Sequence, residues 1–219
     1  KECSTPREVL RESQIPYLPI VGFDMPVQAM FEEAQKLIPL MVSHRSSYEE
    51  HAGWKSLVLH GLGIHKTEHA DKYGLDPEDD SIYHWTEIAD QAPVTVDFFK
   101  NHFHYTAYHR VRFMLLEPGG YVTPHTDFDR FVLGPVNIAL NNPEGCDFVM
   151  ENKGTLPFKK GTIMKLALVN RHAVFNNSNE PRIHMIVHGR PDMTFWNPII
   201  WQSYQSLIAR PHLTPQPSL

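Results

Sequence analysis

Apolar and polar positions change their period near the middle of the chain. Across residues 26–38, Val27, Met30, Phe31, Ala34, Leu37 and Ile38 recur at helical spacing, with Glu32, Glu33 and Lys36 between them. This pattern predicts a helix with Pro26 in its first turn and an end marked by Pro39. Residues 54–60, Trp-Lys-Ser-Leu-Val-Leu-His, predict a strand. Residues 65–80 are polar and acidic and predict a loop or short helix, and Val94 to Phe99 open a helix ending near Asn101. From about Tyr105 the character is β. Predicted strands cover 108–116, 136–140, 147–151, 161–166, 173–175 and 182–188. Turn signals separate them at Glu117-Pro-Gly-Gly, Asn141-Asn-Pro-Glu-Gly and Asn152-Lys-Gly. Many short strands with regular turns predict a sandwich or barrel, a mainly β fold with flanking helices. Residues 1–20, with Pro6, Pro16 and Pro19, read as an irregular lead-in; the stretch from Trp196 is mixed, and 211–219 reads as a loose tail.

The 219 residues suit one domain large enough to bury a core without disulfide staples. The net charge of about −5 and the scattered Lys and Arg give no basic stripe for nucleic acid. Only two cysteines occur, Cys3 and Cys146, and no Cys-x-x-Cys, so the expected compartment is reducing and cytoplasmic. No apolar run reaches the ~20 residues of a membrane helix, so no membrane association is expected.

Fourteen histidines are present, so a histidine alone carries little information and spacing must select among them. In Pro118-Gly-Gly-Tyr-Val-Thr-Pro-His-Thr-Asp, His125 and Asp127 stand two apart. On an extended strand they share a face and reach one metal. His172, just before an apolar run, is the candidate third ligand. Two His and one carboxylate leave open positions on an octahedral metal, as in Fe(II) oxygenases. His-x-Asp alone also occurs as an ordinary pair beside a turn. Asp129 is a rival carboxylate that the face rule ranks second, and Arg130 would either meet an acidic substrate or be solvated. Arg182 lies within an apolar strand, where an unpaired guanidinium is costly. It serves either a structural ion pair or a fork for a carboxylate of a dicarboxylic co-substrate.

These residues resemble the aspartyl/asparaginyl β-hydroxylase family of 2-oxoglutarate oxygenases. The resemblance rests on Pro118-Gly, Pro124-His125-Thr126, the Asn142-Pro-Glu-Gly-Cys turn, the Gly161 strand, His172 and Arg182, and covers roughly 105–190. Pro-His-x-Asp and Pro181-Arg-Ile-His-Met-Ile are also similar to microbial proline cis-hydroxylases. The resemblance implies a double-stranded β-helix (jelly-roll) core over 101–192, inside a single oxygenase domain. Residues 1–100 would form a helical and irregular extension and 193–219 a tail. It implies Fe(II) on His125, Asp127 and His172, with O2 and 2-oxoglutarate as co-substrates and Arg182 on the distal carboxylate. It further implies hydroxylation of an unactivated C–H in a small-molecule or peptide substrate.

The chain departs from the family at three places. Asp127 supplies a carboxylate that the animal β-hydroxylase pattern lacks, which argues for a full triad and against halogenation. Met114 stands where the animal enzyme has a serine against the co-substrate, and Asn137 stands where it has a histidine. Asn137 and His184 would each donate to the co-substrate or be satisfied core groups. Trp54, Trp85 and His84 are candidate mouth residues or ordinary packing; His188 and His109 have no evident partner. The rival readings are a cupin-type enzyme without 2-oxoglutarate, a non-catalytic jelly-roll module, and a zinc hydrolase. No Glu stands beside a ligand as general base for the last.

Overall fold

Alternation of side chains on two faces explains how one apolar strand serves two environments. In the computed structural model, which describes residues 2–11, 15–44, 51–128 and 132–210, the elements in chain order are α1 Pro6–Arg11, β1 Tyr17–Pro19, α2 Val27–Leu37, β2 Val42–Ser43, β3 His51–Gly61, β4 His84–Trp85, α3 Pro93–Asn101, β5 Tyr105–His125, β6 Val136–Ala139, β7 Cys146–Met150, β8 Gly154–Thr155, β9 Ile163–Leu166, β10 His172–Asn176, β11 Arg182–Pro191 and α4 Met193–Ile208. On β5, Val111, Phe113 and Leu115 face a core shared with α2, α3 and α4. The alternate residues Arg110, Arg112, Met114 and Leu116 face an internal cavity. On β11, Ile183, Met185 and Val187 join the helix-side core, while Arg182, His184, Ile186 and His188 line the cavity.

Every strand pairing is antiparallel. The first arm of β5 pairs with β11, and the order continues through β6 and β9 to β1. The second arm of β5 pairs with β10, which pairs with β7 and then β8. Apart from the β7–β8 hairpin, the chain thus visits the two strand sets alternately from β5 to β11. That alternation is the double-stranded β-helix, mainly β with flanking helices.

Three expectations need correction. Glu117-Pro-Gly-Gly does not end a strand. β5 continues through it and bends from one strand set into the other, with Gly119 at φ +77°. Because the bend is a corner with both arms hydrogen-bonded, the turn residues re-aim the ladder without breaking it. The stretch from Met193 is not a tail; it is α4, with Asp192 accepting from the Thr194 N–H at its start and Trp196, Ile200 and Tyr204 buried. Residues 1–20 are also ordered in part: α1 packs on α4, and β1 adds to the sheet through β9. The expected loose tail at 211–219, and Asp129 and Arg130, lie outside the described residues.

Residues before 101 do more than pack on the core. β3 pairs along both arms of β5 and shifts register between Ala52 and Trp54, at Gly53, opposite the β5 bend.

Candidate metal and co-substrate site

His125 ends β5 and His172 begins β10, and the two are direct cross-strand partners. Their rings sit 4.3 Å apart. Asp127 lies beyond the strand end, and its backbone N–H donates to the Leu168 carbonyl at 2.9 Å. Asp127 thus joins the two histidines, although a loop contact rather than strand geometry places it. Asp127 Oδ2 lies 3.5 Å from Nε2 of His125 and 3.5 Å from Nε2 of His172.

The other ring nitrogens fix the protonation pattern. His125 Nδ1 donates to the Thr123 carbonyl at 2.7 Å, and His172 Nδ1 to the Asn170 carbonyl at 2.8 Å. Both Nε2 atoms are then bare and point at the carboxylate, the arrangement a metal-binding imidazole needs. Burial, with the facing His172 adding to it, lowers the His125 pKa to about 4, so the ring is a neutral ligand at pH 7. Phe148 stacks on His172 at 5.4 Å and an interplanar angle of 9°, which holds the ring in place. One ligand atom from each of the three residues lies within 4.8 Å of the others. This donor set, two imidazoles and one carboxylate, fits Fe(II).

The triad opens on a cavity of about 290 Å³ that also contains Arg182. Arg182 is buried and makes no ion pair among the described residues, and its Nε has no hydrogen-bond partner there. Burial pushes its pKa down to about 10, so it still carries its charge at pH 7. A buried, unpaired guanidinium beside a metal-binding triad fits a carboxylate ligand. The alternative expectation, a structural ion pair, has no partner among the described residues.

The sequence model of the family described as aspartyl/asparaginyl beta-hydroxylase matches residues 26–191. The chain belongs to this family. It is a 2-oxoglutarate-dependent oxygenase. No curated protein matches. Similar solved structures include a 2OG-Fe(II) oxygenase family oxidoreductase from Burkholderia pseudomallei, at 14% identity over 85% of this chain and 91% of that chain, with a TM-score of 0.46. A Pseudomonas putida prolyl-4-hydroxylase matches at 12% identity over 84% and 99%, with a TM-score of 0.45. A Trichoplax adhaerens prolyl hydroxylase, solved with a hypoxia inducible factor oxygen degradation domain peptide fragment, matches at 12% identity over 83% and 87%, with a TM-score of 0.48.

Other residues of the oxygenase fall on both sides of expectation. Asn137 lines the cavity, and its Oδ1 has no partner among the described residues. His184 also lines it, but its Nε2 meets Asn142 Oδ1 at 3.1 Å. The Asn142 amide group donates to the carbonyls of Cys146 and Phe158, so its Oδ1 faces His184 as an acceptor. The proton of His184 is therefore on Nε2, and the buried Nδ1 is left as an acceptor. Burial, and then the charge of Arg182, hold its pKa well below the usual range, so the ring stays neutral. As placed, His184 cannot donate to a co-substrate carboxylate.

Met114 is buried on the cavity wall. Trp54 lines the cavity; Trp85 and His84 instead form the short strand β4 beside β3, and Trp85 packs on His60 and Tyr108. His109 and His188 do have partners. His109 Nε2 meets Asp80 at 2.6 Å and its ring stacks on Tyr83, and His188 Nε2 lies 3.4 Å from the Arg112 guanidinium. Reading the sequence did not single out Arg112 or Phe148. Arg112 alternates with the core residues Val111 and Phe113 on β5, and Phe148 is an ordinary inward apolar position of β7.

No helix among the described residues is long and apolar enough to cross a membrane.

Proposed function

We propose that the protein hydroxylates an unactivated C–H bond of an amino acid or of a residue in a peptide, with His125, Asp127 and His172 holding Fe(II) and Arg182 binding 2-oxoglutarate. Bound iron supplies the oxidative chemistry: substrate R–H, O2 and 2-oxoglutarate become R–OH, succinate and CO2. The observation that carries the reading is Arg182, a buried cation with no carboxylate partner among the described residues, in one cavity with the triad. A generic metal site has no use for such a group, whereas a dicarboxylic co-substrate neutralises it with a bidentate pair.

The chain's own residues bind and orient. Thr123 and Asn170 keep the two imidazoles in the ligand tautomer, and Phe148 limits rotation of His172. Arg182 sets the depth of the co-substrate, and Asn137 has amide N–H groups to offer it. Met114 and Leu116 give the same wall an apolar surface that excludes water.

The test is anaerobic titration with Fe(II) and 2-oxoglutarate, followed by aerobic turnover. A weak visible metal-to-ligand band is expected only when both are present, and succinate should form in air. In Arg182→Ala the band should need at least a hundredfold more 2-oxoglutarate. Metal-dependent turnover that proceeds without 2-oxoglutarate would overturn the reading in favour of a cupin-type enzyme.

A further inference from the structure

The cavity contains a second buried cation that the co-substrate does not explain. Arg112 is 5% exposed and lines the same cavity as Arg182 and the triad. In the β5–β11 register Leu116 stands opposite Arg182 and Arg112 opposite Ile186. Four residues of strand separate the two positions, about 13 Å along the sheet. One distal carboxylate of 2-oxoglutarate can neutralise only one of them.

Arg112 is held, but it makes no ion pair among the described residues. One of its terminal nitrogens donates to the Thr67 carbonyl at 2.7 Å, and the other lies 3.4 Å from His188 Nε2. Its Nε has no partner among the described residues. Arg110, the next cavity-facing residue on β5, also donates to the Thr67 carbonyl, at 3.4 Å. Two guanidinium groups therefore converge on one neutral oxygen. Among the described residues, Asp80 pairs with His109 and Arg190, Glu78 with Arg190, and Asp71 with His69. Glu68 lines the wall but makes no ion pair with Arg112 among the described residues. Burial, and then the charge of Arg110, depress the Arg112 pKa, so its charged form is costly in this cavity.

We propose that Arg112, aligned by the Thr67 carbonyl, binds a carboxylate of the substrate, so that the molecule hydroxylated is a compact carboxylic acid. This rests on the oxygenase reading above and adds the substrate class to it. Planar guanidinium forks suit a carboxylate better than they suit a neutral amide or hydroxyl. The cavity, about 290 Å³ in all, lies at the small end of ligand pockets and must hold 2-oxoglutarate as well. A compact free acid such as an amino acid suits this volume. The same chemistry is also available from an aspartyl side chain in a peptide, and the test separates the two sources.

The experiment measures succinate, and product carrying one added oxygen atom, with Fe(II), 2-oxoglutarate and a probe panel. The panel contains the free L-amino acids, their C-terminal amides, short aliphatic mono- and dicarboxylic acids, and capped peptides with one internal Asp. At least one free acid should raise 2-oxoglutarate turnover, and its amide should be at least a hundredfold poorer in kcat/KM. Response only to the capped Asp peptides would support the carboxylate subsite and assign the carboxylate to a side chain. In Arg112→Gln the KM for the responding acid should rise at least a hundredfold, with part of the loss recovered in Arg112→Lys. The visible iron–2-oxoglutarate band should still form in both, which reports that they fold. Amides that match their acids, no response to any acid or Asp peptide, or an Arg112→Gln protein with the wild-type KM would each overturn the proposal. The acid-versus-amide comparison uses unaltered protein and decides the matter even where the variants fail to fold. Absence of the band and of all 2-oxoglutarate consumption in the unaltered protein would instead sink the oxygenase reading itself.

Discussion

Arg182 and His184 are two positions apart on one strand face, yet their buried polar atoms have opposite needs. Arg182 offers donors and a charge; His184, its proton committed to Asn142, offers only a lone pair. Co-substrate affinity therefore depends on the planar fork of Arg182. Lysine at 182 keeps the charge but loses the bidentate geometry. Arg182→Lys is expected to raise the KM for 2-oxoglutarate by about 10- to 100-fold, equivalent to roughly 1.4–2.8 kcal/mol, with a smaller change in kcat. Steady-state succinate assays over a range of 2-oxoglutarate check this. An unchanged KM would mean that the guanidinium does not touch the co-substrate.

Two elements depend on contacts that their own sequences do not advertise. α3 begins at Pro93 without a side-chain cap of its own. Glu33, from α2, accepts from the backbone N–H groups of Val94 and Thr95 at 3.0 and 2.8 Å and from the Thr95 hydroxyl at 2.7 Å. A carboxylate at a helix N-terminus also meets the positive end of the helix dipole. Glu33→Gln removes the charge from a buried, fully used acceptor and should destabilise by about 1–3 kcal/mol, read as a lower thermal midpoint. The 2-oxoglutarate KM should not move, because α3 lies behind the sheet. The β5 bend is the second case. At Gly120 an added Cβ would sit 2.8 Å from the carbonyl oxygens of both Ala52 and Glu117. Neither atom can move without breaking the bend, so Gly120→Ala should cost about 2–3 kcal/mol. That variant is expected to lose metal affinity as well, because the bend aims His125; a chelator competition assay would show it. Wild-type iron affinity in a folded Gly120→Ala protein would count against this coupling.

At the scale of the whole molecule, legibility followed the range of the forces involved. α2, β3, β6, β7, β9, β10 and β11 were readable because burial imposes a local period. His125, Asp127, His172 and Arg182 were readable because their spacing is unusual against that period. The corner at residues 117–120 was misread because turn residues look alike whether a chain reverses or bends. α4 was missed because its apolar residues do not cluster on one clean stripe; its buried Trp196 is fixed by a long-range bond from Nε1 to the Phe103 carbonyl. Arg112 went unnoticed because its meaning lies in what surrounds it. The same burial that hides such groups makes the fold sensitive to acid. His44, His60, His184 and His188 are all held neutral, chiefly by burial, with the nearby Arg112 and Arg110 adding to the effect at His44 and His188. His44 is lowered to about 2 and His60 to about 4, and the other two lie well below the usual range. In the unfolded chain each returns to about 6.5. Below that pH the unfolded state binds more protons than the folded one, so stability falls as pH falls. The loss continues to about pH 4 for His60 and about pH 2 for His44, and the full stability is present only above about 6.5. Each titrating histidine contributes a slope of about 1.4 kcal/mol per pH unit, so four together remove several kcal/mol by pH 5.5, before most carboxylates protonate. The thermal midpoint of the metal-free protein should therefore drop steeply between pH 7 and 5.5, and replacing His60 by Phe should make that drop shallower. A midpoint that stays flat across this window would show that these rings are not held neutral in the folded protein.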